Sequence, residues 1–227
     1  MSLSEIRDCP CPECAAIAPV EFFASVDADL RTDILTGQLQ RVTCPACKAV
    51  YRPEPGLTYL DAQAGLWISA RPADALARWD HEEAAAGAAF DESYGPSAPD
   101  IAQEIGTGLH PRLTFGWPAL REKLMIADQG LNDVTVEMLK LSVLRNRPGN
   151  PAGQGIELRL LDVRGPVLEL GWLTSAGAEV LDVFQAQRRL YDSIATDPAW
   201  QAMAAKLPER GFVDLQRLVI SSRPDTA

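Results

Sequence analysis

Cys11-Pro12-Glu13-Cys14 and, after 29 intervening residues, Cys44-Pro45-Ala46-Cys47 are the two stretches on which the fold turns. A Cys-x-x-Cys turn sets two sulfurs on one side of a tight loop. Two such turns brought together offer four thiolates, the donor set a tetrahedral zinc ion prefers. Cys11, Cys14, Cys44 and Cys47 are therefore the expected metal ligands, holding one structural Zn2+. A site closed by four sulfurs leaves no position for water or substrate, so it serves a fold rather than a reaction. The gap between the pairs exceeds the roughly 15–20 residues of a simple ribbon. A strand and a helix inserted between the pairs account for the excess.

Two other readings of the cysteines stand beside this one. Four buried thiols without a metal would need no special chemistry. A redox pair also uses Cys-Pro-x-Cys, but it sits where a strand enters a helix, whose N-terminus lowers the thiol pKa. Neither pair here opens a convincing helix. Cys9 is a fifth cysteine, two residues before Cys11. It is read as an unliganded spare, because Cys11 and Cys14 already match the spacing of the second pair.

The stretches around the motifs are short and apolar-centred. Val20–Val26 reads as a strand, and Asp27 or Asp29 caps a short helix carrying Leu30, Ile34 and Leu35 that Gly37 stops. Leu39–Thr43, Ala49–Tyr51, Leu57–Leu60 and Leu66–Ala70 follow as strands between turn residues. The expectation is a small antiparallel, zinc-ribbon-like sheet with an inserted helix. Residues 72–87 read as a helix, and residues 86–100, rich in Gly, Ala, Ser, Pro and acid, as a solvated connection. Beyond it, helices are expected over Ala119–Gln129 and from an Asn132 cap to about Asn146, with Val136, Leu139, Leu141 and Leu144 mainly inward. Strands are expected at Leu113–Phe115, Ile156–Val163, Val167–Leu173 and Val180–Phe184. Gln187–Thr196 reads as a helix, Asp197-Pro198 starts another, and Phe212–Ile220 reads as a terminal strand. The fold class is α+β. The expected domains are a metal-clipped domain over residues 1–75, a helix and acidic linker over 76–105, and an α+β domain over 106–227.

The chain has 227 residues and a formal charge of −10. Residues 1–75 carry net −4, residues 76–105 net −6, and the rest balance. Such acidity works against non-specific attraction to nucleic acid, which depends on Lys and Arg displacing phosphate counterions. No apolar stretch reaches the roughly 18 residues of a membrane span, and the N-terminus lacks the apolar core of a signal peptide. A cytoplasmic protein is expected, in a compartment where cysteines favour metal over disulfides.

Together with Val20–Val26 and Leu35-Thr36-Gly37-Gln38-Leu39, the two cysteine motifs resemble the bacterial CpXC-domain family, named for its paired Cys-Pro-Xaa-Cys motifs. The resemblance is strongest from Cys9 to Pro72 and extends weakly through Leu120–Leu124 and Gly130–Lys140. It implies that the four cysteines bind metal, and it implies no particular activity. Ala15 and Lys48 stand where many zinc knuckles place glycine.

The remaining residues give no catalytic set. His81, in Trp79-Asp80-His81-Glu82-Glu83, reads as a solvated helix face, and His110 as a loop residue. Gly106-Thr107-Gly108 lacks the ending of a phosphate loop. Glu122, Asp128, Asp133 and Glu137 read as cap and surface charges. Trp67, Trp79, Trp117, Trp172 and Trp200 are expected in cores. The expected function is non-enzymatic: a zinc-stabilised protein that binds a macromolecular partner, a protein. The alternative is a zinc-ribbon protein acting on nucleic acid or the transcription machinery. That alternative needs Arg31, Arg41, Lys48, Arg52 and Arg71 to converge on one face. A third reading is an unrecognised enzyme pocket in the second half.

Overall fold

The computed structural model describes residues 2–146, 155–174 and 179–221. The chain forms two compact units, Met1–Arg121 and Glu122–Ala227. In chain order the elements are β1 (Leu3–Pro10), β2 (Ile17–Asp27), α1 (Arg31–Leu35), β3 (Val42–Thr43), β4 (Val50–Tyr51), β5 (Leu57–Asp61), β6 (Leu66–Arg71), α2 (Trp79–Tyr94), α3 (Asp100–Thr107) and β7 (His110–Phe115). There follow α4 (Gly116–Asp128), α5 (Asp133–Asn146), β8 (Ile156–Arg164), β9 (Val167–Thr174), β10 (Val180–Gln187), α6 (Arg188–Thr196), α7 (Pro198–Ala204) and α8 (Leu215–Ser221). The α+β class is as expected.

The first unit is built on a sheet of order β1-β2-β5-β6-β7. β1 and β2 form an antiparallel hairpin, and β3 and β4 form a second, separate one. These are the two arms of a zinc-ribbon-like region. The larger sheet also contains parallel pairs that the alternating patterns did not announce: Ser25–Asp27 of β2 runs alongside Thr58–Leu60 of β5, and β6 alongside β7. A parallel pair requires a crossover, and α1 with the second hairpin, and α2 with α3, supply them. Asp27 accepts a bond from the Asp29 N–H and opens the helical turn before α1, as expected. Gly65 turns β5 into β6 at φ +68°, and a Cβ there would meet the Gly108 carbonyl at 2.8 Å, so only glycine fits.

Residues 86–94 correct the expected solvated connection. α2 continues to Tyr94, because alanine is the strongest helix former and Ala86 and Phe90 are buried. Phe90 meets Trp67 edge-on, with ring centroids 5.4 Å apart. The helix stops at Gly95-Pro96, and α3 follows from Asp100. β1, with only Leu3, Ile6 and Cys9 as apolar positions, had no sequence pattern to mark it.

The second unit packs α5, α6 and neighbouring helices on the antiparallel sheet β10-β9-β8. Its core includes Ile126, Val136, Leu139, Leu158, Leu170, Trp172 and Val213. Asn132 caps α5 through its Oδ1, which accepts from the Thr135 N–H at 2.9 Å. Asp197 caps α7 in the same way. The expected terminal strand at Phe212–Ile220 is instead the entry to a helix. Asp214 accepts from the Gln216 N–H at 2.9 Å, and α8 begins at Leu215. Leu215 and Leu218 stand i,i+3, a helical spacing that the apolar content of the segment had obscured.

Candidate metal centre

Each cysteine pair forms the tip of one hairpin. Cys11–Cys14 lies between β1 and β2, and Cys44–Cys47 between β3 and β4. The two tips repeat one backbone design. Cys11 N–H donates to Ala16 and Ala15 N–H to Cys11, both at 2.9 Å; Cys44 N–H donates to Ala49 at 2.8 Å and Lys48 N–H to Cys44 at 3.0 Å. Closing such a loop turns its last residue left-handed. Ala15 has φ +59° and Lys48 φ +65°, so the knuckle geometry is kept without glycine. An L-residue in this conformation costs about 1–2 kcal/mol, partly offset by its smaller unfolded-state entropy. Lys48→Gly is therefore expected to stabilise the first unit by roughly 0.5–1 kcal/mol, read as a higher urea midpoint. A lower midpoint would show that the Lys48 ammonium, 2.9 Å from the Pro45 carbonyl, outweighs the strain.

The four sulfurs converge. Cys11 Sγ lies 3.7 Å from Cys47 Sγ, Cys14 Sγ lies 3.7 Å from Cys44 Sγ, and all four lie within 4.8 Å of one another. A tetrahedron with metal–sulfur bonds of about 2.3 Å has edges of about 3.8 Å. The spacing thus fits a central ion and is far too long for disulfides, whose sulfurs sit about 2.05 Å apart. Cys11 and Cys44 are buried, Cys14 and Cys47 exposed. Cys9 stays outside the group, with its thiol 3.7 Å from the Pro10 carbonyl. Backbone N–H groups of Cys47 and Ala46 bring the Cys44 thiol down to about 6. The Ala49 N–H favours the Cys47 thiolate too, yet the Cys14 sulfur, burial and the other sulfurs push that thiol up to about 12. The first thiolate forms readily and the last is opposed by its neighbours, a conflict a divalent cation resolves.

The other sequence candidates lie elsewhere. His81 is 76% exposed beside Glu82, and His110 is exposed at the start of β7. Of the five basic residues that a nucleic-acid face would need, four are engaged within the first unit, Lys48 through the Pro45 carbonyl. Arg31 donates to the Tyr59 hydroxyl at 2.9 Å, Arg52 lies 3.5 Å over the Trp117 ring and bonds the Leu39 carbonyl, and Arg71 sits 3.5 Å from Glu82.

The carboxylates read as surface charges include two of the most deeply buried groups in the chain. Glu122 and Glu137 are 1% and 0% exposed, and Lys140 0%. Lys140 donates to both glutamates at 2.9–3.0 Å. Arg159 donates to Glu122 at 2.9 Å and also to Glu157 and Asp214. Backbone N–H groups of Leu160 and Leu215 complete Glu122 and Glu137 at 2.6 and 2.9 Å. Glu122, Glu137 and Asp214 are close enough for a metal ion, but Lys140 and Arg159 already fill that role. α5 held the signal: Val134, Val136, Met138, Leu139, Leu141, Val143 and Leu144 surround it, and a helix apolar on all sides is buried with its charges.

This network makes stability depend on pH. Burial, with Asp214 and Glu122 nearby, pushes the Glu137 carboxyl up to about 7 from its ordinary 4.5, against the pull of Lys140. A raised folded-state pKa contributes stability that is complete below 4.5 and lost as pH rises through 7, on the order of 3 kcal/mol. Asp214 works oppositely: burial resists, but Arg159 and Lys140 hold it down to about 2, so its contribution disappears as pH falls from 3.8 through 2. The second unit is expected to be more stable at pH 5 than at pH 8, with Glu137→Gln flattening the difference. Urea titrations at the two pH values check this, and an unchanged slope in the variant would sink it.

No curated protein and no solved structure matches the chain. A family model described as CpXC protein matches residues 9–140, which include both cysteine pairs and more than half of the sequence. The chain belongs to the CpXC protein family.

Proposed function

We propose that this is a zinc-stabilised, non-enzymatic cytoplasmic protein that binds a protein partner. The four-sulfur site carries the zinc reading. Its all-thiolate donor set, 3.7 Å edges and paired knuckles suit a structural zinc ion held by Cys11, Cys14, Cys44 and Cys47. With all four positions taken by sulfur, the ion would order the hairpin tips rather than activate water. Free thiols in such number fit a reducing compartment. None of the helices described is long and apolar enough to cross a membrane.

The partner reading rests on the second unit. β10 is a sheet edge on which Val180, Leu181 and Val183 are 43–48% exposed. An edge with apolar side chains in water is a template for another chain.

Metal analysis of the purified protein tests the first half: about one zinc per chain is expected. Loss of that zinc in Cys44→Ser would support the ligand set, and zinc retained in Cys11→Ser/Cys44→Ser would refute it. A pull-down from the native host tests the second half, with Val183→Glu as the control. A protein lost in the variant, with zinc content unchanged, supports the reading; no difference between the two opposes it.

A further inference from the structure

β1 forms one end of the five-stranded sheet, and every residue from Leu3 to Asp8 is exposed. Ile6 is 75% and Leu3 60% exposed, and Ile17 across the hairpin is 71% exposed. The hairpin register tells which backbone groups face the open edge. Ser4 stands opposite Phe23, whose N–H donates away from β1 to the Gln40 side chain. Asp8 stands opposite Pro19, which has no N–H, and Cys11, of odd parity, donates to Ala16 across the hairpin. The odd residues therefore bond to β2. The N–H and C=O groups of Ser4, Ile6 and Asp8 point outward.

Charges on an edge strand ordinarily discourage pairing. Here their order makes the strand complementary to itself in one register. In a two-fold antiparallel pair one residue faces its own copy. Centring on Glu5, Arg7 or Asp8 opposes like charges. Centring on Asp8 also sets Ile6 against Pro10, which has no N–H to give. Centring on Ser4 places Glu5 against Leu3. Centring on Ile6 places Ile6 on Ile6, Glu5 on Arg7 twice, and Ser4 on Asp8 twice. Glu5 and Arg7 then occupy non-hydrogen-bonded positions, where facing side chains come closest. Within one chain these two residues already form an ion pair on the same face.

We propose that the chain forms a two-fold homodimer by antiparallel pairing of β1 with β1 of a second copy, centred on Ile6. The pairing adds about six backbone hydrogen bonds and two Glu5–Arg7 ion pairs, and joins two five-stranded sheets. It does not depend on the partner proposed for β10 or on the identity of the metal.

Sedimentation of the full, metal-loaded chain over a concentration series tests this. Wild type is expected to pass from monomer to dimer, less readily at high salt. Ile6→Pro removes only an outward N–H, so it should keep its fold, shown by unchanged circular dichroism and metal content, and lose the dimer. Glu5→Arg and Arg7→Glu should each weaken self-association roughly tenfold or more. Mixed one to one, the two variants should form a heterodimer, since each then meets its opposite charge. A wild type that stays monomeric to roughly millimolar concentration would overturn the proposal. So would a dimer indifferent to Ile6→Pro, or a mixture of the charge variants that does not associate.

Discussion

Arg159→Met is expected to cost the second unit about 3–5 kcal/mol, enough to unfold it or leave it marginal. Arg159 is 2% exposed, and its guanidinium meets Glu122, Glu157 and Asp214. Burying it was expensive, and the three carboxylates return that cost only while it is present. Methionine matches much of its length and leaves little cavity, so the loss is electrostatic: three buried acids lose their shared cation. They can recover only by taking up protons, so the variant should regain stability as pH falls toward 5. Hydrogen exchange at the β8 and β9 amides measures this in the intact chain. Protection unchanged in the variant at pH 8 would show that Lys140 alone holds the acids. The whole network is a different matter. Replacing all its charged members by apolar residues of similar volume is often neutral or stabilising. The arrangement is thus better understood as fixing how α4, α5, β8 and the start of α8 meet than as a source of net stability.

That network was the least legible part of the chain, and the reason is physical. A pattern reading assigns charge to the surface because burying one ion alone is prohibitive. Complementary ions buried together escape that rule, and their partners are far apart in sequence: Glu122 and Arg159, Glu137 and the Leu215 amide. Only the pairs Glu137–Lys140, at i,i+3, and Glu157–Arg159, at i,i+2, are local. The convergence of the four cysteines was legible for the opposite reason. Cys-x-x-Cys is a local turn, and two copies need only be brought together. Strands with apolar centres, such as Val20–Val26 and Leu66–Ala70, were likewise read directly. Their parallel pairing was not, since strand direction depends on crossovers rather than on alternation. α2 was lost beyond Gly87 because composition suggested solvent, while Phe90 alone carried the packing signal.

Removing the proposed zinc is expected to collapse the second hairpin and loosen the tip of the first. β3 and β4 contribute two residues each, too few to stand without support. What holds them is the sulfur cluster at one end and Gln40 with Arg52 at the other. Gln40 accepts from the Phe23 N–H at 3.3 Å and donates to the Pro53 and Glu54 carbonyls at 3.2 and 3.3 Å, from a left-handed backbone at φ +62°. Arg52 stacks on Trp117 at 3.5 Å. A structural zinc site binds with an apparent free energy of about 10–16 kcal/mol at neutral pH, far above what these polar contacts supply. Chelation should therefore release residues 39–53 first, while β5, β6 and β7, with Tyr59, Ile68 and Leu113 buried, keep their amide protection. Trp117 fluorescence should change as Arg52 leaves its ring. Cys44→Ser should reproduce the effect without chelator, because a serine hydroxyl is a poor zinc ligand at neutral pH and Cys44 is fully buried. Acid should act like chelator, since each ligand must lose its proton to bind. If residues 39–53 keep their protection in the metal-free protein, the hairpin stands on Gln40 and Arg52, and the four sulfurs are free to serve another purpose.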